Sequence, residues 1–167
     1  MKTSRVPKRL APELFRDLLL SIVPEFPEVA IAPLYDTHQV QSYLAGEALI
    51  TEGEVCRGVY LLWGGTVQLS LRHCRDKRKH FHVRKVSSPA VLGLPGTMLG
   101  HGFVASASAL SQVEAAFIPR AAFMQAVREF PMASLAFSTV LSDELNSTYE
   151  NLSALRSTRS ARALPAN

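Results

Sequence analysis

Residues 91 to 109, VLGLPGTMLGHGFVASASA, place Gly93, Gly96, Gly100 and Gly102 within ten positions and contain no Asp, Glu, Lys or Arg. Glycines at this density let the backbone take positive φ and present bare N–H groups, the construction used by loops that cradle phosphate. A phosphate-cradling loop also needs charged or hydroxylated partners, and this stretch lacks the charges. Whatever the chain folds into must carry a glycine-built turn of this kind, with apolar side chains around it.

The segments before the glycine stretch set the fold class. Pro12 to Val23 predicts a helix: Pro12 suits a first turn, Glu13 sits at its positive end, and Leu14, Leu18 and Ile22 recur at helical spacing until Pro24 and Pro27 stop it. From Ile31 to Tyr43 the pattern is irregular, and Val40 and Tyr43 against polar neighbours predict a short strand. Short apolar segments then alternate with glycine turns: 48–51, Glu52-Gly53-Glu54, 59–63, Gly64-Gly65 and 66–71. They are expected to form a β meander. In the last of them Val67, Leu69 and Leu71 alternate with Gln68, Ser70 and Arg72, which predicts one buried and one wet face.

Arg72 to Lys79, RHCRDKRK, reads as a polar hairpin tip, and Phe81 and Val83 alternate with His80, His82 and Arg84 on the returning strand, so that basic side chains crowd an outer face. Such a face serves either an anion or nucleic acid, or simply solvation and protection of a strand edge, and the second is the simpler expectation. Beyond the glycine stretch, Val113, Ala115 and Phe117 predict a strand ending at Pro119, 121–130 a short helix, and the run from Pro131 to about Ser157, free of Pro and Gly, a long helix. On that helix Leu141, Leu145, Thr148, Leu152 and Leu155 fall at alternating spacings of four and three, the signature of a coiled-coil seam and hence of a homodimer.

Composition excludes several classes of function. The two cysteines, Cys56 and Cys74, form no CxxC pair, so neither a disulfide framework nor a cysteine zinc site is expected, and a reducing, cytoplasmic setting fits. The longest apolar run, LLLSIV at 18–23, is far short of a membrane span, and no export signal opens the chain. A net charge of +4 is modest for contact with nucleic acid. His73, Cys74, His80, His82 and His101 leave haem or a metal open, but no full ligand set stands at familiar spacing, so no metal site is expected. Gly100-His101-Gly102-Phe103-Val104-Ala105 matches a dinucleotide pattern in letters only, without a βαβ setting, and nothing resembles a P-loop or a nucleophile with its base. No catalytic residue is expected and the chain does not read as an enzyme.

The order of these pieces resembles the cyclic nucleotide-binding domain of bacterial transcription regulators of the catabolite activator and fumarate-nitrate regulator type. The residues that carry the resemblance are Gly46-Glu47 with Ile50, Glu52-Gly53-Glu54, 59–62 leading to Gly65, Val91-Leu92-Gly93, Phe117-Ile118-Pro119-Arg120 with Phe123, and Phe130-Pro131, covering about 45–157. It implies a mainly β fold with α: a double-stranded β-helix, or jelly roll, flanked by an N-terminal helix and a long C-terminal dimerisation helix. The segments are then 1–30 helical, 31–130 the roll, and 131–167 the long helix and tail, with no helix-turn-helix domain; DNA would be read only by a domain downstream.

The resemblance also makes the glycine stretch a phosphate-binding cassette. Counting from Gly93, Leu94 stands where the family has a Glu for the ribose, and Val104 and Ala105 where it has the Arg and Ser/Thr for the cyclic phosphate; Thr148 falls where some members touch the base. The expectation is a sensor and dimerisation module in which cyclic AMP and cyclic GMP are disfavoured, with an atypical small molecule, haem, or no ligand at all in their place. A ligand-free protein-interaction module is the alternative.

Overall fold

The computed structural model describes residues 9–72 and 80–161 of the 167-residue chain. Helix α1 (Pro12–Ile22) begins with its proline at the first turn, and α2 (Ile31–Thr37) follows a 3-10 turn at Glu28–Ala30. The strands are β1 (Gln39–Tyr43), β2 (Ala48–Ile50), β3 (Gly58–Gly64), β4 (Thr66–Arg72), β5 (His80–Ser87), β6 (Ala90–Leu92), β7 (Ser106–Ala109) and β8 (Val113–Pro119). Helix α3 (Leu94–Leu99) lies between β6 and β7, and α4 (Arg120–Glu129) and α5 (Pro131–Ala161) end the chain.

The strands form two antiparallel four-stranded sheets, in the orders β1-β8-β3-β6 and β2-β7-β4-β5. This is a jelly roll with helices at both ends. The expected meander is corrected: β2, β3 and β4 follow one another in sequence, yet none pairs with another, and Gly64–Gly65 carries the chain from one sheet to the other. Gly65 has φ +88°, and a Cβ there would meet the Gln112 carbonyl oxygen at 2.2 Å, so the crossing requires a residue without a side chain. Helix α2 is a second departure, because Ile31 and Leu34, its buried pair, are too few to announce a helical period. Two further strands, β6 and β7, lie within the stretch read as a loop.

The first sheet is buried on both faces, which explains the continuous apolar run on β3. Val59 and Leu61 point to the helices and join Phe15, Leu19, Leu34, Ala116, Ile118, Phe123 and Phe137 in one core. Leu62 points inward and joins Ile50, Val67, Leu92, Phe103, Ala107, Val113 and Ala115 in a second core between the sheets. Phe137 of α5 packs against Phe26 and Phe123, with ring centroids 5.3 and 4.8 Å away, and so fixes the long helix to the roll.

The buried face expected on β4 does not run its length. Val67 is fully buried and Leu69 half-buried, but Leu71 is exposed while Ser70 is buried. Leu69 and Leu71 still share a face and both line an open groove, which leaves Leu71 exposed. In the partner strand Leu69 faces Arg84 and Ser70 faces His82, leaving Val83 as an extra residue in β5. Such a bulge breaks the alternation of sides. As a result the consecutive residues Val83 and Arg84 face the same groove, and Arg84 does not belong to the outer basic face. Phe81 is exposed rather than inward. The hairpin tip at 73–79, with His73 and Cys74, lies outside the described residues.

Candidate functional site

The glycine stretch folds as a short helix between two left-handed residues rather than as an open loop. Gly93 (φ +81°) turns the chain out of β6, Pro95 occupies the first turn of α3, and Gly100 (φ +77°) closes it. The segment is fastened from beneath. The Thr97 hydroxyl donates to the Gly93 carbonyl oxygen at 2.8 Å, the Cys56 sulfur lies 3.1 Å from that hydroxyl, and Arg120 Nε donates to the Thr97 carbonyl oxygen at 2.9 Å. The return to β7 is strapped to the turn after β2: Gly53 N–H donates to Phe103 and Phe103 N–H to Glu54, both at 2.9 Å.

These constraints set where the sequence-predicted residues fall. Gly93, Val104 and Ala105 line one small cavity, about 100 Å³, with Ile50, Leu92 and Phe103. Leu94 does not reach it. Its side chain is fully buried in the core that the roll shares with the helices, and Pro95 lines the cavity instead. Val104 and Ala105 also open onto a larger groove of about 540 Å³ between β4, β5 and α5, where Thr148, Leu141 and Leu145 join them. Thr148 donates its hydroxyl to the Glu144 carbonyl oxygen one turn earlier at 2.8 Å. Along the expected seam Leu141 and Thr148 are half-buried and Leu145 is exposed; the side chains of Leu152 and Leu155 lie outside those described.

Sequence reasoning missed the two charged residues of the site. Arg84 on β5 and Glu144 on α5 line both the small cavity and the groove, and Arg84 Nη2 lies 3.1 Å from Glu144 Oε1. With side chains 22% and 29% exposed, the pair is largely withdrawn from water. Burial pushes the Glu144 carboxyl above the usual range, and the attraction and hydrogen bond of Arg84 oppose this without cancelling it. Glu144 follows Leu141 by three positions and precedes Thr148 by four, and it lines the groove with both and with the adjacent Leu145, so the helix stretch that suggested a dimer seam also delivers an acid to the groove. The one available signal was its place: the first charges of α5 after twelve uncharged residues are Asp143 and Glu144.

The remaining candidates do not converge. His101 is exposed, with Nδ1 3.1 Å from the Gly102 carbonyl oxygen, and Cys56 is buried beneath α3. Among the described residues no three His, Cys, Asp or Glu side chains group as metal ligands, and no helix is long and apolar enough to cross a membrane.

Comparison with known proteins follows the same lines. The family model of the cyclic nucleotide-binding domain matches residues 40–130. No curated protein sequence matches. The structure is similar to a cyclic nucleotide-binding domain from Methylobacillus flagellatus, at TM-score 0.75 and 18% identity, covering 96% of this chain and 90% of that one. It is similar to the sensor domain of the transcriptional regulator DNR from Pseudomonas aeruginosa, at TM-score 0.69 and 15% identity over 83% and 93%. Similarity extends to the catabolite activator protein of Thermus thermophilus, at TM-score 0.64 and 19% identity, with 87% of this chain covering 63% of that one. The chain spans about two thirds of the length of the first structures it matches, 66% and 67%.

Proposed function

The chain belongs to the cyclic nucleotide-binding domain family, and from that premise we propose that it is a sensor and dimerisation module of a bacterial transcription regulator of the Crp/Fnr type, one that does not hold cyclic AMP or cyclic GMP in the usual way. The observation that carries this reading is that the side chains at the cassette's two phosphate positions, Val104 and Ala105, are apolar. The side chains of Val104 and Ala105 offer no donor where a cyclic phosphate would need one, and losing charge-assisted hydrogen bonds there forfeits about 1.5–3 kcal/mol each. Space argues the same way: a cavity of about 100 Å³ is well below the roughly 300 Å³ at which small-molecule sites begin. The groove beside it, at about 540 Å³, is within that range.

The regulator role is supported by the similarity to the DNR sensor domain and to the catabolite activator protein. In this reading the long helix pairs with a second copy along Leu141, Leu145, Thr148, Leu152 and Leu155, DNA is contacted by a separate domain, and the module performs no catalysis in the cytoplasm. The nearly filled cassette cavity is what favours the alternative, a ligand-free interaction module; the open groove favours the sensor. Calorimetry with cyclic AMP and cyclic GMP is expected to show no binding at micromolar concentration, and a micromolar Kd for either overturns the reading. Light scattering is expected to give a dimer that Leu145→Asp dissociates, and a monomer at high concentration removes the seam.

A further inference from the structure

Building on the sensor reading, we propose that the groove between β4, β5 and α5 takes an amphipathic carboxylate, whose headgroup displaces Glu144 from Arg84 and whose apolar body lies against Leu69, Leu71, Val104, Leu141 and Leu145. Three observations lead there. First, the groove has the size of a ligand site, and its walls are aliphatic apart from Arg84, Glu144 and the Thr148 hydroxyl. A ligand matched to it has one charged end and an apolar remainder.

Second, Arg84 is underused. A guanidinium carries five N–H donors in a fork that fits a carboxylate in two places. Here Nη2 alone reaches Glu144, onto one oxygen, at 3.1 Å, longer than the roughly 2.7–2.9 Å of a strong charge-assisted bond. Among the described residues no other side chain accepts from the fork. The backbone beneath it is fixed, because Gln68 Nε2 donates to the Arg84 carbonyl oxygen at 2.9 Å. A free carboxylate entering the groove can approach the fork in two-point geometry, which Glu144, tied to its helix, does not reach.

Third, the pair can give up its acid but not its base. A cationic ligand that took Glu144 would strand Arg84, and an arginine does not deprotonate in a protein. An anionic ligand that takes Arg84 strands Glu144, which can accept a proton from solvent, and burial already favours its neutral form. Lys85 and Asp143, the other charged groups lining the outer side of the pair, are of opposite sign and leave this balance in place. The preferred headgroup is therefore the anion. Since α5 carries Glu144, exchange of the headgroups releases a tie between the roll and the long helix.

The test is titration calorimetry of the whole chain with decanoate and decylammonium, each below its micellar concentration, and with 1-decanol below its solubility limit. Decanoate is expected to bind at least tenfold more tightly than 1-decanol, and decylammonium no more tightly than 1-decanol. Arg84→Gln should erase the carboxylate preference and leave 1-decanol binding as it was. Glu144→Gln, by removing the internal competitor, should tighten decanoate at least threefold. If Arg84→Gln does not fold, the double variant Arg84→Met with Glu144→Leu keeps an apolar groove and must lose the preference. Equal binding of decanoate and 1-decanol, a preference that survives Arg84→Gln, or weaker decanoate binding by Glu144→Gln overturns the assignment while the sensor reading stands. Absence of binding by all three probes overturns the assignment and also removes the groove from the sensor reading.

Discussion

Arg84 and Glu144 form one pair, yet removing each partner should have unequal consequences. Arg84→Gln leaves a carboxylate with roughly three quarters of its surface buried and no cation beside it. Breaking a fully buried pair in this way costs about 3–5 kcal/mol, and exposed pairs contribute about 0.2–1 kcal/mol. Partial exposure places this variant between them, at about 1–2 kcal/mol, or a Tm lower by about 3–6 °C for a chain of this size. Glu144→Gln keeps the shape and an acceptor oxygen while removing a charge that burial disfavours, so its stability should lie within about 0.5 kcal/mol of the parent or above it. The sign with pH follows from the raised carboxyl of Glu144. Between the ordinary Glu range and that raised value the native state binds more protons than the unfolded one. The stability Glu144 contributes is therefore fully present below the ordinary range and lost as pH rises through the window. Urea unfolding followed by Trp63 fluorescence from pH 4 to 7.5 should show Glu144→Gln gaining on the parent as pH rises. Equal destabilisation by both variants, or a difference flat with pH, would refute the reasoning and mean that the pair is a structural brace rather than an exchangeable contact.

His38 gives a second pH dependence of opposite sense. Its Nε2 accepts from the Leu10 N–H at 2.9 Å and burial lowers its pKa, so stability should be full above the ordinary His range and fall as pH drops through it, and His38→Gln should flatten that slope in the same unfolding series. Phe137→Ala, at a fully buried position between Phe26 and Phe123, should cost about 3–5 kcal/mol in urea unfolding, the largest effect expected on α5. Gly93→Ala and Gly46→Ala both force an alanine into positive φ, at about 1–2 kcal/mol. At Gly93 the new Cβ also meets Phe103 at 2.9 Å and the Gly58 carbonyl oxygen at 3.0 Å, whereas at Gly46 it meets nothing, so the first should be clearly the more damaging by thermal unfolding.

Strands β3, β4 and β8 were legible because their glycine turns and apolar runs are local signals, and they lie within a residue or two of the expected segments, whereas β6 and β7 fall in the glycine stretch and carry no such signal. The hairpin of β4 and β5 was expected and is present, but the pairing of β2, β3 and β4 was not legible, since these consecutive strands alternate between the two sheets and nothing local to 48–71 records this. Counting from Gly93 leads to Val104 and Ala105, which line the small cavity beside it. The same count leads to Leu94, whose side chain lies in the core instead, because which side of a six-residue helix faces a cavity depends on the core behind it. Arg84 was hidden by the bulge at Val83: alternation assigns it to the side of His80 and His82, and a single extra residue turns it into the groove.

The glycines that made the stretch from Val91 to Ala109 resemble a phosphate cradle answer to packing. A Cβ at Gly96 would stand 3.1 Å from the Cβ of Cys56, and one at Gly102 would stand 2.8 Å from the Gly53 carbonyl oxygen. Gly93 must turn at positive φ against Phe103. Each requirement comes from the roll closing on itself, and each holds whatever ligand is present or absent. The frame and the chemistry are thus separable: the frame rests on residues that cannot change without displacing backbone, the chemistry on residues such as Val104 and Ala105 that border open space. A domain built this way can lose phosphate recognition and keep its fold. The charge that remains near the site sits across the groove, on β5 and α5, where an anion would be read by a strand residue and its binding felt by the long helix. Recognition placed there ties ligand state to helix position more directly than the cassette does, because one of the two exchanging groups belongs to the helix itself.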